Sequence, residues 1–380
     1  MPATFADPQP SVHPSRPKEA AVYQPQFDSL RALAVLTVMG DHFAAEIPNF
    51  PVPDWVHLGP IGVRLFLVLS GYFITASLRR TRDRLDSGEG TSQGALREFY
   101  RRRFLRILPP YALFLFAGLL LNIQTMRQNA LWIATFSVNF LIAWTGQWPL
   151  AISHLWSVCV QEQFYLVWPG LVLFLPRRWV LRAIVGAAAA GVLFRVGCVV
   201  FSVPLVARWV LPFGSLDALA CGAALAWAGW KPDARSVHRP WTVVAGGAAC
   251  ALALTVAGIL RNGDQARMAS VLVEPLEVLA MTWLVAQTLA GWGGWVGWIL
   301  SSRALIAVGR MSYGIYIYHV MIIICLDRWV PAPWRWSVEI PAVRLVTLTA
   351  ATLLIAGISW HWIEQPINRL RHGLRHQALA

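Results

Sequence analysis

Apolar residues run along this chain in blocks of about 14 to 22 positions, divided by short polar stretches. A membrane helix needs about 20 apolar residues to cross a hydrocarbon core of ~30 Å. The blocks predict spans at roughly Leu30–Ala45, Leu58–Leu78, Phe104–Leu121, His154–Leu175, Val180–Phe201, Val210–Trp227, Val243–Leu260, Ala269–Leu289, Tyr313–Leu326 and Val343–Trp362. The stretch Leu131–Trp144 is too short for a comfortable crossing, and is expected to be re-entrant or interfacial. The fold class expected is therefore an all-α polytopic membrane bundle of about ten transmembrane helices.

The polar punctuation orients these spans. Arg79, Arg80, Arg82, Arg84, Arg97, Arg101, Arg102, Arg103 and Arg106 crowd one loop, whose middle, DSGEGTSQG, reads as flexible. The loop after the first span holds Glu46 and Asp54 and no Lys or Arg up to His57. Positive charge marks the cytoplasmic side, so both chain ends are expected in the cytoplasm. Residues 1–25 read as a disordered cytoplasmic tail, 26–368 as the membrane domain and 369–380 as a basic cytoplasmic tail. The start of the chain has no apolar region of the signal-peptide kind.

Composition agrees: 57% of the residues are hydrophobic and only 13% charged, where soluble domains carry about 25%. The net charge of +13 is nearly all arginine, Lys18 and Lys231 being the only lysines. Excess basic residues beside a bilayer meet anionic lipid, and do not point to nucleic acid. The five cysteines lie in apolar runs without metal-ligand spacing, so neither disulfides nor a metal site are expected.

Polar residues inside the apolar blocks are the candidates for chemistry. Arg31 and His42 lie eleven residues apart in FDSLRALAVLTVMGDHF. They share a helix face, displaced by about 16 Å along it. Either this face lines a reaction chamber, or Arg31 snorkels to headgroups and His42 sits near the far interface. Asp28, where this helix starts, reads as its N-cap. His154, Gln161, Glu162 and Gln163 crowd a second block, HLWSVCVQEQFYLVWP. At helical spacing His154, Gln161 and Glu162 can line one cavity, although interhelical hydrogen bonding also occupies such residues. Arg103 and Arg106, on one helical turn, serve either topology or a phosphate site, for which the guanidinium fork is suited. Gly62, Ser70 and Gly71 read as packing residues, and Arg64 as snorkelling or paired.

Those motifs, with GVRLFLVLSGYFIT, RRRFLRILPPY, MSYGIYIYHV and WIEQPINR in this order, resemble the membrane-bound acyltransferase family 3 from about Phe27 to Arg369. The resemblance implies O-acylation of sugars, on O-antigens, exopolysaccharides, Nod factors, peptidoglycan or macrolides. The family's Arg-x10-His pattern falls on Arg31 and His42, its RxxR pattern on Arg103 and Arg106, and its WS-x-x-x-EEQFY pattern on Trp156 to Tyr165. Gln161 replaces the first carboxylate of that last pattern, and Arg64 replaces an Asp often found in the second span. The family's additional esterase-like domain has no counterpart here, which reads as a stand-alone form.

On that basis His42 is the expected general base, with Glu162 orienting it or binding sugar hydroxyls. Arg31, Arg103 and Arg106 are expected to hold the donor, a cytoplasmic acyl-coenzyme A with acetyl as the default acyl group. His154, Gln161 and Trp156 are assigned to the acceptor. No permanently bound cofactor and no metal are expected. The expected partners are acyl-coenzyme A, a sugar-containing acceptor and the lipid bilayer of a bacterial cytoplasmic membrane. The competing function is a sugar-lipid transporter or flippase, using the same buried polar residues without chemistry.

Overall fold

Twenty residues of mixed character, Gln26–Ala45, form the first helix, α1, and the chain then continues helix after helix with no strand among the described residues. The computed structural model describes residues 24–47, 58–229, 266–331 and 340–369. Residues 1–23, the loop of Lys231, Arg235 and Arg239, the expected span Val243–Leu260 and residues 370–380 lie outside the described residues. With them go nearly all of the two expected tails. After α1 come α2 (Gly59–Asp86), α3 (Ser92–Leu120), three short helices α4 (Gln124–Gln128), α5 (Ala130–Ala134) and α6 (Val138–Thr145), α7 (Leu155–Phe174) and α8 (Arg177–Val200). Then follow α9 (Leu205–Val210), a 3-10 turn (Pro212–Ser215), α10 (Leu216–Ala228), α11 (Ala266–Ala290), α12 (Gly294–Leu300), α13 (Arg303–Arg310), α14 (Ser312–Trp329) and α15 (Pro341–Ser359), which runs into a π-helical turn (Trp360–Glu364).

Among the described residues four helices are long and apolar enough to cross a membrane: α2, α3, α8 and α15 with its extension to Arg369. A fifth arises if α13 and α14, bent by 72° at their junction, count as one span. Among the described residues, which leave out the expected span Val243–Leu260, the count of about ten is not confirmed, and several expected spans differ from the helices observed. Helix α1 carries Asp28, Arg31 and Asp41, and α7 carries Gln161, Glu162 and Gln163, so both lose apolarity at these polar positions. Helix α10 has only 13 residues. The stretch Leu131–Trp144 divides between helices of five and eight residues, each far shorter than a bilayer core.

The outermost spans show their environment by what they leave uncovered. Phe104, Phe116 and Leu120 on α3, Val185, Leu193 and Val200 on α8, and Val346, Leu354 and Ile358 on α15 are exposed apolar side chains, as lipid contact requires. Helix α2 is the reverse, a central column packed against α1, α7, α10 and α11. Its crossing with α10 is close enough to need glycine on both sides. A Cβ on Gly71 would strike the carbonyl of Leu219, and one on Gly222 would strike that of Val68.

The arginine-rich loop is more ordered than its composition implies. Helix α2 runs on to Asp86 and α3 starts at Ser92, leaving only residues 87–91 as connection. Arg82 donates to the carbonyls of Val172, Leu173 and Leu175 at 2.9 to 3.1 Å, capping the end of α7. Arg177 pairs with Asp83 and Asp86, and the Thr91 hydroxyl accepts from the Gly94 amide to cap α3. Asp28 is not the N-cap expected of it. Helix α1 starts two residues earlier, and Asp28 sits in its first turn, paired with Arg31 at 3.2 Å and Arg310 at 3.6 Å.

Candidate active site

Helix α1 delivers Arg31 and His42 along one face, and the structure gives each its own cavity. The inner cavity, of about 100 Å³, lies toward the arginine-rich end and is lined by Arg31, Arg103, Arg106, Gln161, Glu162 and Tyr165, with Ser70, Tyr313 and Tyr316. The outer cavity, of about 200 Å³, lies toward the start of α2 and is lined by His42, Asp41, Arg64, His154, Trp156 and Tyr316, with Trp148, Trp209 and Glu274. Tyr316 of α14 borders both. Its hydroxyl is held by the Ser157 hydroxyl at 2.6 Å and the His154 carbonyl at 2.8 Å, which fixes it as the partition.

The sequence-predicted residues therefore divide. His154, Gln161 and Glu162 do not share a cavity: His154 goes with His42, whereas Gln161 and Glu162 go with the three arginines. Seven residues of helix carry the side chain about 10 Å along the axis, enough to pass the partition. Trp156 stands with His42, and Gln161 stands away from the other two expected acceptor residues. Glu162 does not orient His42. The hydrogen-bond partner of His42 is His319 on α14, with Nδ1 of His42 and Nε2 of His319 2.7 Å apart.

The inner cavity is lined by planar cations. Arg31 lies over the Phe73 ring at 4.5 Å while pairing with Asp28, and Arg103 lies over the Tyr165 ring at 4.3 Å. The Tyr165 hydroxyl in turn donates to the side-chain oxygen Oε1 of Gln161 at 3.2 Å, which also accepts from Ser70 at 2.9 Å. Ser70 is thus part of the cavity wall as well as of the packing. Gln163 turns the other way and exchanges hydrogen bonds with Asn139, also donating to the Phe136 carbonyl, so it is structural. A second hollow, bordered by Arg31, Arg102, Arg103 and Arg106, continues this cavity toward the arginine-rich end. Three arginines against one carboxylate line this cavity, and a guanidinium whose face lies on a ring, as that of Arg103 does, presents its hydrogens at its edge.

The outer cavity has a different chemistry. Its floor is an ion network within the bundle: Arg64 pairs with Glu277 and, at 3.3 Å, with Glu274, while Arg195 pairs with Asp217. Arg64 is paired here. Trp209 donates to Glu274 at 3.0 Å. Indole faces beside carboxylates and a guanidinium suit a ligand with both hydroxyl groups and flat apolar faces.

Sequence reasoning missed His319 and the Tyr316 partition. Both lie in MSYGIYIYHV, quoted above only for its order in the chain. The available signal was His319 itself, an ionisable side chain in the middle of an apolar helix.

Comparison with known proteins places this sequence in a family. An acyltransferase domain family model matches residues 24–361, which includes every residue of both cavities named above. Peptidoglycan O-acetyltransferase OatA of Listeria monocytogenes is 29% identical over 91% of this chain and 56% of its own length. O-acetyltransferase OatA of Staphylococcus aureus is 27% identical over 91% of this chain and 57% of its own. The chain thus spans about half the length of the curated relatives it matches. No solved structure matches. With the match running through all the helices that build the two cavities, the chain belongs to the membrane-bound acyltransferase family 3.

Proposed function

We propose that this chain is a membrane O-acyltransferase, moving an acyl group, acetyl by default, from cytoplasmic acyl-coenzyme A to a sugar hydroxyl. The observation that carries this reading is the pair of dissimilar cavities meeting at Tyr316. The arginine-lined cavity would take the diphosphate and 3′-phosphate of coenzyme A, with Arg103 and Arg106 at its mouth and Arg31 farther in. The thin pantetheine arm would then pass the partition and present its thioester to His42, about 16 Å along α1 from Arg31. In the outer cavity His42 would take the proton of the acceptor hydroxyl as its oxygen attacks the thioester carbonyl. The C–S bond breaks, and the departing thiolate recovers that proton as a thiol.

Trp156 and His154 border the space left for the acceptor. Because peptidoglycan appears in the name of the Listeria relative, a muropeptide glycan is the acceptor to try first. Glu162, among the arginines, would serve as their counter-ion while the donor site is empty. The reading places the protein in a bacterial cytoplasmic membrane with its arginine-rich end and both termini in the cytoplasm.

The test is turnover by purified protein in proteoliposomes, supplied with acetyl-coenzyme A and glycan fragments. The expected result is free thiol released together with acetyl ester on the glycan, lowered about 10²-fold or more in His42→Ala. Movement of a sugar lipid across the membrane without thiol release would refute the reading and leave a transporter.

A further inference from the structure

The contacts of His319 decide more than its position. Its Nδ1 lies 2.8 Å from the carbonyl oxygen of Tyr316, one turn earlier on α14. A carbonyl oxygen only accepts, so Nδ1 of His319 carries the hydrogen. In a neutral imidazole the other nitrogen is then bare, and Nε2 of His319 must accept its bond from His42. Nδ1 of His42 is therefore the donor, and Nε2 of His42 keeps its lone pair.

The geometry supports a linear bond between the rings. They are within 7° of parallel with centroids 5.0 Å apart. That separation is the 2.7 Å nitrogen–nitrogen distance plus about one ring radius on each side, so the imidazoles lie edge to edge in one plane. His319 is completely buried and both its nitrogens are engaged, so turning its ring over would break both bonds. Among the described residues no carboxylate is hydrogen-bonded to either ring. His154, the other imidazole in this cavity, donates from Nε2 to the Ile317 carbonyl at 3.2 Å, and its buried Nδ1 has no hydrogen-bond partner among the described residues, so it is not part of the His42–His319 chain.

We propose that His319 is a positioning residue that locks His42 in the Nδ1–H tautomer, so that Nε2 of His42 is the basic atom offered to the acceptor hydroxyl. The role rests on the acyl-transfer reading above. It also gives the transferred proton a second place. When Nε2 of His42 takes the hydroxyl proton, the Nδ1 hydrogen can shift to Nε2 of His319, and the positive charge is shared between two rings. When the thiolate leaves, the hydrogen returns to Nδ1 of His42 as Nε2 gives up its proton. The order of bonds, carbonyl to His319 to His42 to substrate, is the same before and after the reaction.

The experiment uses the full-length protein, labelled with 15N-histidine, in lipid nanodiscs. Signals of His42 are assigned by their loss in His42→Ala. In the wild type, Nε2 of His42 should give a pyridine-type signal and Nδ1 a pyrrole-type signal. His319→Phe fills the space but accepts no hydrogen bond. It should mix or reverse the two signals and lower kcat about 10²-fold, with the donor KM changed less than about two-fold. His319→Gln returns an acceptor oxygen near the position of Nε2, and should restore kcat to within about ten-fold of wild type. A pyrrole-type Nε2 in wild-type His42 overturns the proposal, even if the His319 variants fail to fold. So does a well-folded His319→Phe with unchanged kcat and signals. Full turnover by His42→Ala would instead remove the base reading itself, a result the His319 variants cannot produce.

Discussion

Changing Arg103 to lysine separates phosphate recognition from simple topology. The guanidinium lies flat over Tyr165 at 4.3 Å, and Tyr165 is itself braced through Gln161 to Ser70. One edge of that fixed plane is therefore available to grip two oxygens of a phosphate at once. Lysine keeps the charge that orients the helix, and keeps part of the attraction to the ring, but replaces the fork by a point donor. The loss is one charge-assisted hydrogen bond, about 1.5–3 kcal/mol. At 1.4 kcal/mol per factor of ten, the donor KM should rise by about ten- to a hundred-fold. The acceptor KM should stay unchanged, and kcat should fall far less than the donor KM rises. Arg101→Lys supplies the control, because Arg101 pairs with Glu98 on the half-exposed side of the same helix. The assay is initial-rate thiol release over a range of acetyl-coenzyme A concentrations in detergent. Equal donor KM values in wild type, Arg103→Lys and Arg101→Lys would refute the phosphate site and leave the arginines as topological markers.

Three further outcomes follow from the packing. Arg64→Met takes from the fully buried Glu277 the guanidinium it pairs with, while Glu274 keeps Arg195 at 3.8 Å, and should cost about 3–5 kcal/mol in an SDS-unfolding titration. Adding Glu277→Gln should recover a large part of that, whereas two fully additive losses would show that the pair is not coupled. Gly71→Val, pushed against the Leu219 carbonyl, should cost about 1–3 kcal/mol or prevent assembly, while Gly170→Ala, with open space around it, should hold or slightly raise the melting temperature in detergent. Cysteines placed at Ser92 and at Leu58 should face opposite sides, so an impermeant maleimide should label Leu58→Cys in intact cells and Ser92→Cys only after permeabilisation; the reverse would invert the topology.

What could be read in the sequence was the identity of the polar residues within apolar helices. Arg31, His42, Arg103, Arg106, Glu162 and His154 all border one of the two cavities. Helical periodicity gave the shared face of Arg31 and His42, because angle depends only on spacing within one helix. Grouping across helices did not come through. His154 and Glu162 have compatible angles yet lie on opposite sides of Tyr316, a separation set by where α14 crosses α7. His319 is 277 positions from its partner His42, and no local pattern links them. The span count is left unconfirmed for a related reason: among the described residues, α1 and α7 carry polar residues that weaken their apolar signal. Loop composition also misled between Arg79 and Arg106, since glycine and serine occupy only a short turn between two helices extended by capping and ion pairs.

The partition at Tyr316 has an electrical consequence. A bilayer under 100 mV charges about 2.3 kcal/mol for each elementary charge that crosses it. With the arginines on one side of the tyrosine and the imidazole pair on the other, the proposed donor would leave its phosphates behind and send only its uncharged pantetheine arm and acyl group across the field. Turnover would then be indifferent to membrane voltage, and the cell could modify its outer glycans without discharging the potential that powers the rest of its membrane.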